Sequence, residues 1–207
     1  MVCGSPVVAS ADLLRRLAGE CDHVVAVDRG LDALLGAGLG CDVSVGDADT
    51  VSDAGRALVD AAEAFEVERH DPYKDYTDLA LALDAIRRRW PNAELVATCA
   101  TGGRPDMALS VLGLLANYKD APVWIAEDKV VARILRAGES WTIEGAEGKT
   151  FSIIAIAPNT EVSEHGLEWE LDHASLGLLA DTGISNVVRS TATIQVHTGT
   201  AIAYLYK

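Results

Sequence analysis

The sequence predicts an α/β fold: an N-terminal, mostly parallel sheet with helices on both faces, followed by a C-terminal all-β sandwich or barrel. Three observations carry that prediction. Through about residue 137, short apolar runs alternate with helical patterns, and such alternation implies a parallel sheet covered by helices. After residue 138 the helical period disappears, and alternating or apolar runs are separated by glycine-containing turns, the pattern of an antiparallel β domain. Acidic side chains recur at turns in the first half. Several of those turns follow strands, at the sheet edge where ligands bind in this class of fold.

In chain order, PVVAS, HVVAVD, CDVSVGD, AFEVERH, AELVATC and PVWIAE read as strands. LDALLGAG, SDAGRALVDAAEAF, DYTDLALALDAIRRRW and PDMALSVLGLLANYK read as helices. In the third of these, Leu79, Leu83, Ile86 and Trp90 recur at helical spacing and define one apolar face. Beyond the junction, SWTIEG, KTFSIIAIA, EVSEHGLEWEL, NVVRS, TATIQVHTG and TAIAYLY read as strands. The expected domains are 1–137 and 138–207, joined in the AGES stretch at 137–140.

A chain of 207 residues that is 49% apolar has enough material for one large domain or two small ones. The formal net charge of −14 argues against a nucleic-acid or anionic-membrane surface, both of which need basic patches. No run of 18 apolar residues suggests a membrane span, and the N-terminus lacks a basic region before its short apolar stretch. Cys3, Cys21, Cys41 and Cys99 show no paired spacing, which fits reduced thiols and a cytoplasmic protein.

Four motifs gather the chemistry. Asp28 closes VAVDRG; Asp47 and Asp49 lie in SVGDADT; Asp75 and Asp78 open a helix in YKDYTD; Asp106 lies in TGGRPD. Two unpaired carboxylates at ~4 Å repel by about 4 kcal/mol at an effective dielectric of 20. A hard cation such as Mg²⁺, which takes oxygen ligands, makes such a cluster tolerable. Lys74 and Arg104, inside the same motifs, suit phosphate oxygens. Gly102 and Gly103 offer backbone N–H groups, and Pro105 fits a first helical turn. Each motif alone also has a plain structural reading: an Asp-rich turn with an N-cap at Ser52 or Asp53, a cap at Asp75 or Thr77, an ordinary strand–helix turn. GAEGKT is not a P-loop, because Ile143 stands where glycine is required and a strand follows; it reads as a hairpin turn. Trp169 lies on the face opposite Glu168 and Glu170, and periodicity leaves core and pocket equally open for it. The five histidines show no metal-ligand spacing.

The ordered set resembles the thiamine pyrophosphokinase family along nearly the whole chain. That family carries Asp-Gly-Gly, Gly-Asp-x-Asp-Ser, Lys-Asp-x-Thr-Asp and Gly-Gly-Arg-x-Asp-His, then a β domain with Gly-Leu-x-Trp and Ser-Asn. The corresponding stretches here are Asp28-Arg29-Gly30, Gly46 to Thr50, Lys74 to Asp78, Gly102 to Met107, Gly166 to Trp169, and Ser185-Asn186. Arg29 replaces a glycine, Thr50 a serine and Met107 a histidine. The resemblance implies Mg²⁺-dependent transfer of diphosphate from ATP to the hydroxyl of thiamine, giving AMP. It assigns Asp47, Asp49, Asp75 and Asp78 to the metal. Asp47, Asp75, Asp78, Lys74 and Arg104 carry the catalysis. ATP is held by Asp28, Gly30, Lys74, Thr77, Gly102, Gly103, Arg104 and Asp106, and thiamine by Trp169, Ser185 and Asn186. It also implies a homodimer with shared active sites. A related diphosphokinase acting on a hydroxymethyl pterin and a non-catalytic nucleotide- or thiamine-binding protein are the alternatives.

Overall fold

Strands β1 (Val25–Val27) and β2 (Val43–Gly46) explain the first half. Every residue of β1 and the first three of β2 are buried, as expected for parallel strands covered on both faces. β2 pairs in parallel with both β1 and β3 (Glu66–Arg69). Val2 bridges in parallel to Ala26 on one side and to Thr98 on the other, just past β4 (Leu95–Ala97). The computed structural model describes every residue except Pro72 and Lys74.

Five helices accompany these strands among the described residues: α1 (Ala11–Glu20), α2 (Gly30–Gly36), α3 (Asp53–Ala61), α4 (Asp78–Arg89) and α5 (Pro105–Ala116). α1, α2 and α3 share a core with Ala26 through Leu13, Leu14, Leu31, Leu34 and Val59. α4 buries Leu79, Leu83 and Ile86, the face its spacing predicts, and partly buried Trp90 stacks on His23 at 4.1 Å. Ser10, Ser52 and Thr77 cap α1, α3 and α4, each side-chain oxygen accepting a backbone N–H.

One expectation for this half is corrected and one helix is added. PVVAS is not a strand: residues 6–9 form a loop that leads to the Ser10 cap. α1 is the helix missing from the sequence reading; Leu13, Leu14 and Leu17 behind Ser10 are the signal that carries it. Its mate in the sheet is Val2, a one-residue bridge too short to leave a periodic trace.

The chain divides into compact units at Ala121/Pro122, earlier than the junction expected at 137–138. The reason is pairing. β5 (Val123–Glu127) forms an antiparallel hairpin with β6 (Val130–Arg136), and β6 pairs along its length with β12 (Thr200–Tyr206). The second unit adds β7 (Ser140–Ile143), β8 (Thr150–Ala155), β9 (Thr160–Leu167), β10 (Leu171–Leu176) and β11 (Asn186–Thr198). NVVRS and TATIQVHTG are one strand, β11. It starts against β8 and continues between β7 and β9. It thereby links the layer β8–β12–β6–β5 to the layer β10–β9–β11–β7 over one core containing Trp141, Phe151, Ile153, Val162, Val188, Ile194 and Ala203. Residues 144–149 connect β7 to β8 and hold all of GAEGKT but its Thr150, which opens β8; β7 pairs with β11, so the expected hairpin is absent. No helix among the described residues is long and apolar enough to cross a membrane, and none of the four cysteines is in a disulfide.

Candidate active site

The carboxylates converge at the C-terminal ends of β1 and β2. Asp28 and Asp47 directly follow those strands, and one oxygen each from Asp28, Asp47 and Asp49 lies within 4.8 Å of the others. Asp47 is only 9% exposed. Its Oδ1 accepts the Asp49 backbone N–H at 3.1 Å, which closes the turn carrying both acids. Asp28 adopts φ 46° and accepts the Thr50 hydroxyl on Oδ2. Its Oδ1 is buried and has no hydrogen-bond partner among the described residues. Burial raises the Asp28 pKa above the usual aspartate value. Asp78 and Asp49 push it the same way, while Thr50 and the Arg29 N–H oppose the shift.

Gly46 makes this convergence possible. Its φ of 147° is disfavoured for residues with a Cβ, and a Cβ here would lie 3.3 Å from Asp78 Oδ1 and 3.4 Å from Asp28 Cα. Asp78, the first residue of α4, is thus held against the end of β2. It lies outside the group of three, as does exposed Asp75. The family resemblance assigns Asp47, Asp49, Asp75 and Asp78 to the metal; the structure brings Asp47 and Asp49 together with Asp28. Lys74 lies outside the described residues.

A cleft of about 500 Å³ opens beside the acids. Asp28, Thr50, Thr77, Asp78, Gly102 and Arg104 line it, as do Arg29 and Met107; with Thr50, these last two are the three departures from the family pattern. Arg104 is held by a bidentate pair to Asp106, at 3.1 and 2.5 Å. That pairing raises the Arg104 pKa and lowers that of Asp106. Asp106 is outside the lining and acts on the arginine. Gly103 backs onto Pro6, and Gly30 is buried under the Val2 carbonyl.

Sequence reasoning missed one wall, formed by Cys3, Gly4, Ser5 and Pro6. Ser5 ties it down, donating its hydroxyl to the Thr101 carbonyl at 2.6 Å and its backbone N–H to the Cys99 carbonyl at 3.2 Å. These contacts span more than ninety residues of sequence, so no local pattern announces them.

In the second unit, Trp169 is 62% exposed, which removes the core reading left open by periodicity. Asn186, 3% exposed, clips its backbone: Nδ2 donates to the Trp169 carbonyl at 2.7 Å and Oδ1 accepts the Trp169 N–H at 3.1 Å. Ser185 has φ 58° and donates its N–H to Ser152 Oγ at 3.0 Å.

Comparison with known proteins agrees with this architecture. Residues 14–126 match the family model of the thiamin pyrophosphokinase catalytic domain. Residues 140–202 match that of the thiamin pyrophosphokinase vitamin B1 binding domain. Thiamine pyrophosphokinase 1 of Arabidopsis thaliana is 28% identical over 131 residues, 59% of this chain and 48% of that protein; the match thus spans about half the length of this curated relative. The crystal structure of thiamin pyrophosphokinase from Geobacillus thermodenitrificans is similar at 26% identity and a TM-score of 0.81, covering 100% of this chain and 95% of that one. The Bacillus subtilis structure has 25% identity and a TM-score of 0.77, with coverage of 100% and 97%.

Proposed function

Because the chain belongs to the thiamin pyrophosphokinase family, we propose that it transfers diphosphate from ATP to the hydroxyl of thiamine, releasing AMP and thiamine diphosphate. The observation that carries this reading is the meeting of Asp28, Asp47 and Asp49 beside a cleft walled by Arg104 and Gly102.

The donor set fits Mg²⁺. It is made of carboxylate oxygens, which suit a hard cation, and Asp28 Oδ1 is buried with no hydrogen-bond partner among the described residues. Asp28, Asp47 and Asp49 would hold the ion, with Asp78 alongside. Bound there, Mg²⁺ would neutralise charge on the phosphate oxygens. The chain's own groups do the rest by positioning and charge. Arg104, preset by Asp106, pairs with phosphate oxygens. The turn at Gly102 and Gly103 lets the backbone approach them closely. Thr50 fixes Asp28 through its hydroxyl. Lys74, in the motif just before α4, adds a second cation. The thiamine hydroxyl oxygen then attacks the β-phosphorus and gives its proton to a carboxylate of the site, while the bond from that phosphorus to the bridging oxygen breaks and AMP departs.

For thiamine, an exposed indole on a clipped backbone is a platform for an aromatic ring. Trp169→Ala should raise the thiamine KM by roughly tenfold, given ~0.5–1.5 kcal/mol for aromatic contact beyond the area lost. The ATP KM and Tm should hardly move, because the side chain packs little in the folded chain. Steady-state kinetics with a thermal melt checks this, and a Tm collapse with unchanged KM would return Trp169 to a structural role. The homodimer with shared active sites that the family implies is part of this proposal, and sedimentation would check it.

Incubating the pure chain with ATP, Mg²⁺ and thiamine, followed by product identification, tests the function. Thiamine diphosphate with AMP is expected. Turnover on a pterin alcohol alone would favour the related diphosphokinase.

A further inference from the structure

Arg29 is the departure from the family pattern that adds a charge, standing where that pattern has glycine. It directly follows Asp28, flanks the start of α2 and is exposed. Its stem lies beside the wall at residues 3–6, where a Cβ on Gly4 would touch Arg29 Cβ at 3.6 Å. From there Arg29 borders two cavities. One is the cleft of about 500 Å³ beside the acids. The other is a hollow of about 300 Å³ lined by Ala11 and Leu14 of α1 and by Ala33 and Gly36 of α2. Ser5 borders both.

The Arg29 guanidinium is uncommitted. Among the described residues its side chain forms no ion pair and no hydrogen bond. Asp32 stands three residues on, a spacing at which helical ion pairs form. That acid is already occupied: one oxygen accepts the Ser52 N–H at 2.8 Å, and the other accepts the Ser52 hydroxyl. Arg29 and Arg104 are the cationic side chains among the described residues that line the cleft. A guanidinium carries five N–H donors. Arg104 commits its Nε and one terminal nitrogen to Asp106, whereas Arg29 keeps its full set.

We propose that Arg29 is a further substrate-binding residue, its guanidinium gripping the triphosphate chain of ATP and setting the preference of the site for a polyphosphate. It rests on the diphosphate-transfer reading for the choice of ATP as ligand. The planar fork of arginine matches phosphate oxygens two at a time. A phosphate that pairs with Arg104 shares it with Asp106, whose negative charge repels the newcomer. Arg29 has no such competitor to displace. Asp28 and Asp78 in the same lining also repel an anion, and a cation next to Asp28 offsets them at short range. Because Arg29 is exposed, salt screens this contact.

The test is equilibrium dialysis with Mg²⁺ and no thiamine, using ATP and inorganic tripolyphosphate as separate ligands. Arg29→Gly restores the family residue, and Arg29→Gln keeps the side chain's length without its charge. Both should melt near the unaltered chain, since the side chain has no partner to lose and glycine is accepted before a helix. In either variant the Kd of both ligands should rise by at least about tenfold, the lower range for a hydrogen-bonded charge pair. The difference should narrow at about 0.5 M salt. Unchanged ATP affinity in a folded variant overturns the proposal. Weakened ATP with unchanged tripolyphosphate also overturns it, because Arg29 would then serve the nucleoside. An unaltered chain that binds neither ligand overturns it as well. Arg29-dependent binding of both ligands without formation of thiamine diphosphate upholds Arg29 and removes the diphosphate-transfer reading. Thiamine diphosphate formed by a chain whose binding ignores Arg29 does the reverse.

Discussion

Asp47→Asn should lower turnover by at least about a hundredfold, the size of losing one preorganised charge-stabilising contact at a reacting phosphate, while the fold survives. The turn at Asp47 is held by its Oδ1 accepting the Asp49 N–H, and an asparagine oxygen accepts that bond equally well. The substitution therefore removes charge and leaves shape. Asp47 is the most enclosed of the three clustered acids, at 9% exposed, so bulk water cannot easily substitute for it. The measurement is kcat at saturating Mg²⁺ together with Tm. Near-normal turnover would sink the metal assignment. Asp75→Asn provides the comparison. The sequence reading places Asp75 in the metal shell, whereas the folded chain has it exposed and outside the group. A much smaller loss is expected there, and an equal loss would restore Asp75 to the shell.

Gly30→Ala should destabilise the chain by about 3 kcal/mol, the upper range for overpacking against a rigid neighbour, and lower Tm by roughly 6–12 °C. A Cβ at Gly30 would lie 2.0 Å from the Val2 carbonyl oxygen. That oxygen accepts the Val27 N–H at 2.9 Å, and Val2 bridges to both Ala26 and Thr98, so it cannot retreat without disturbing the sheet. Gly36→Ala, in the same helix, meets nothing within 4 Å and should be neutral or stabilising by about 0.5–1 kcal/mol. Thermal melts of the pair separate crowding from helix propensity. If Gly30→Ala melts normally and only the ATP KM rises, Gly30 serves the nucleotide and not the packing.

Periodicity made the helical face of α4 legible, because Leu79, Leu83 and Ile86 follow one rule repeated along one helix. The ends of β1 and β2 were legible because turn acids directly follow apolar runs. What escaped was settled by contacts between distant segments. The Ser5 wall depends on partners beyond residue 98. The meeting of Asp28 with Asp47 and Asp49 depends on parallel pairing of β1 with β2, which no local spacing encodes. β5 looks like the last strand of the first half, yet its hairpin with β6 places it in the second unit. Asn186 bonds the Trp169 backbone through both ends of its amide. A residue type can suggest a polar role, but its partners follow only from the fold.

Diphosphoryl transfer is the central claim, and the fate of the β-phosphorus tests it most directly. A single-turnover reaction with Mg²⁺, thiamine and ATP labelled at the β-phosphorus separates the two possible transfers. The account predicts that all transferred label appears in thiamine diphosphate and that the AMP formed carries none. Label retained in stoichiometric ADP, with unlabelled thiamine monophosphate as the other product, would contradict it.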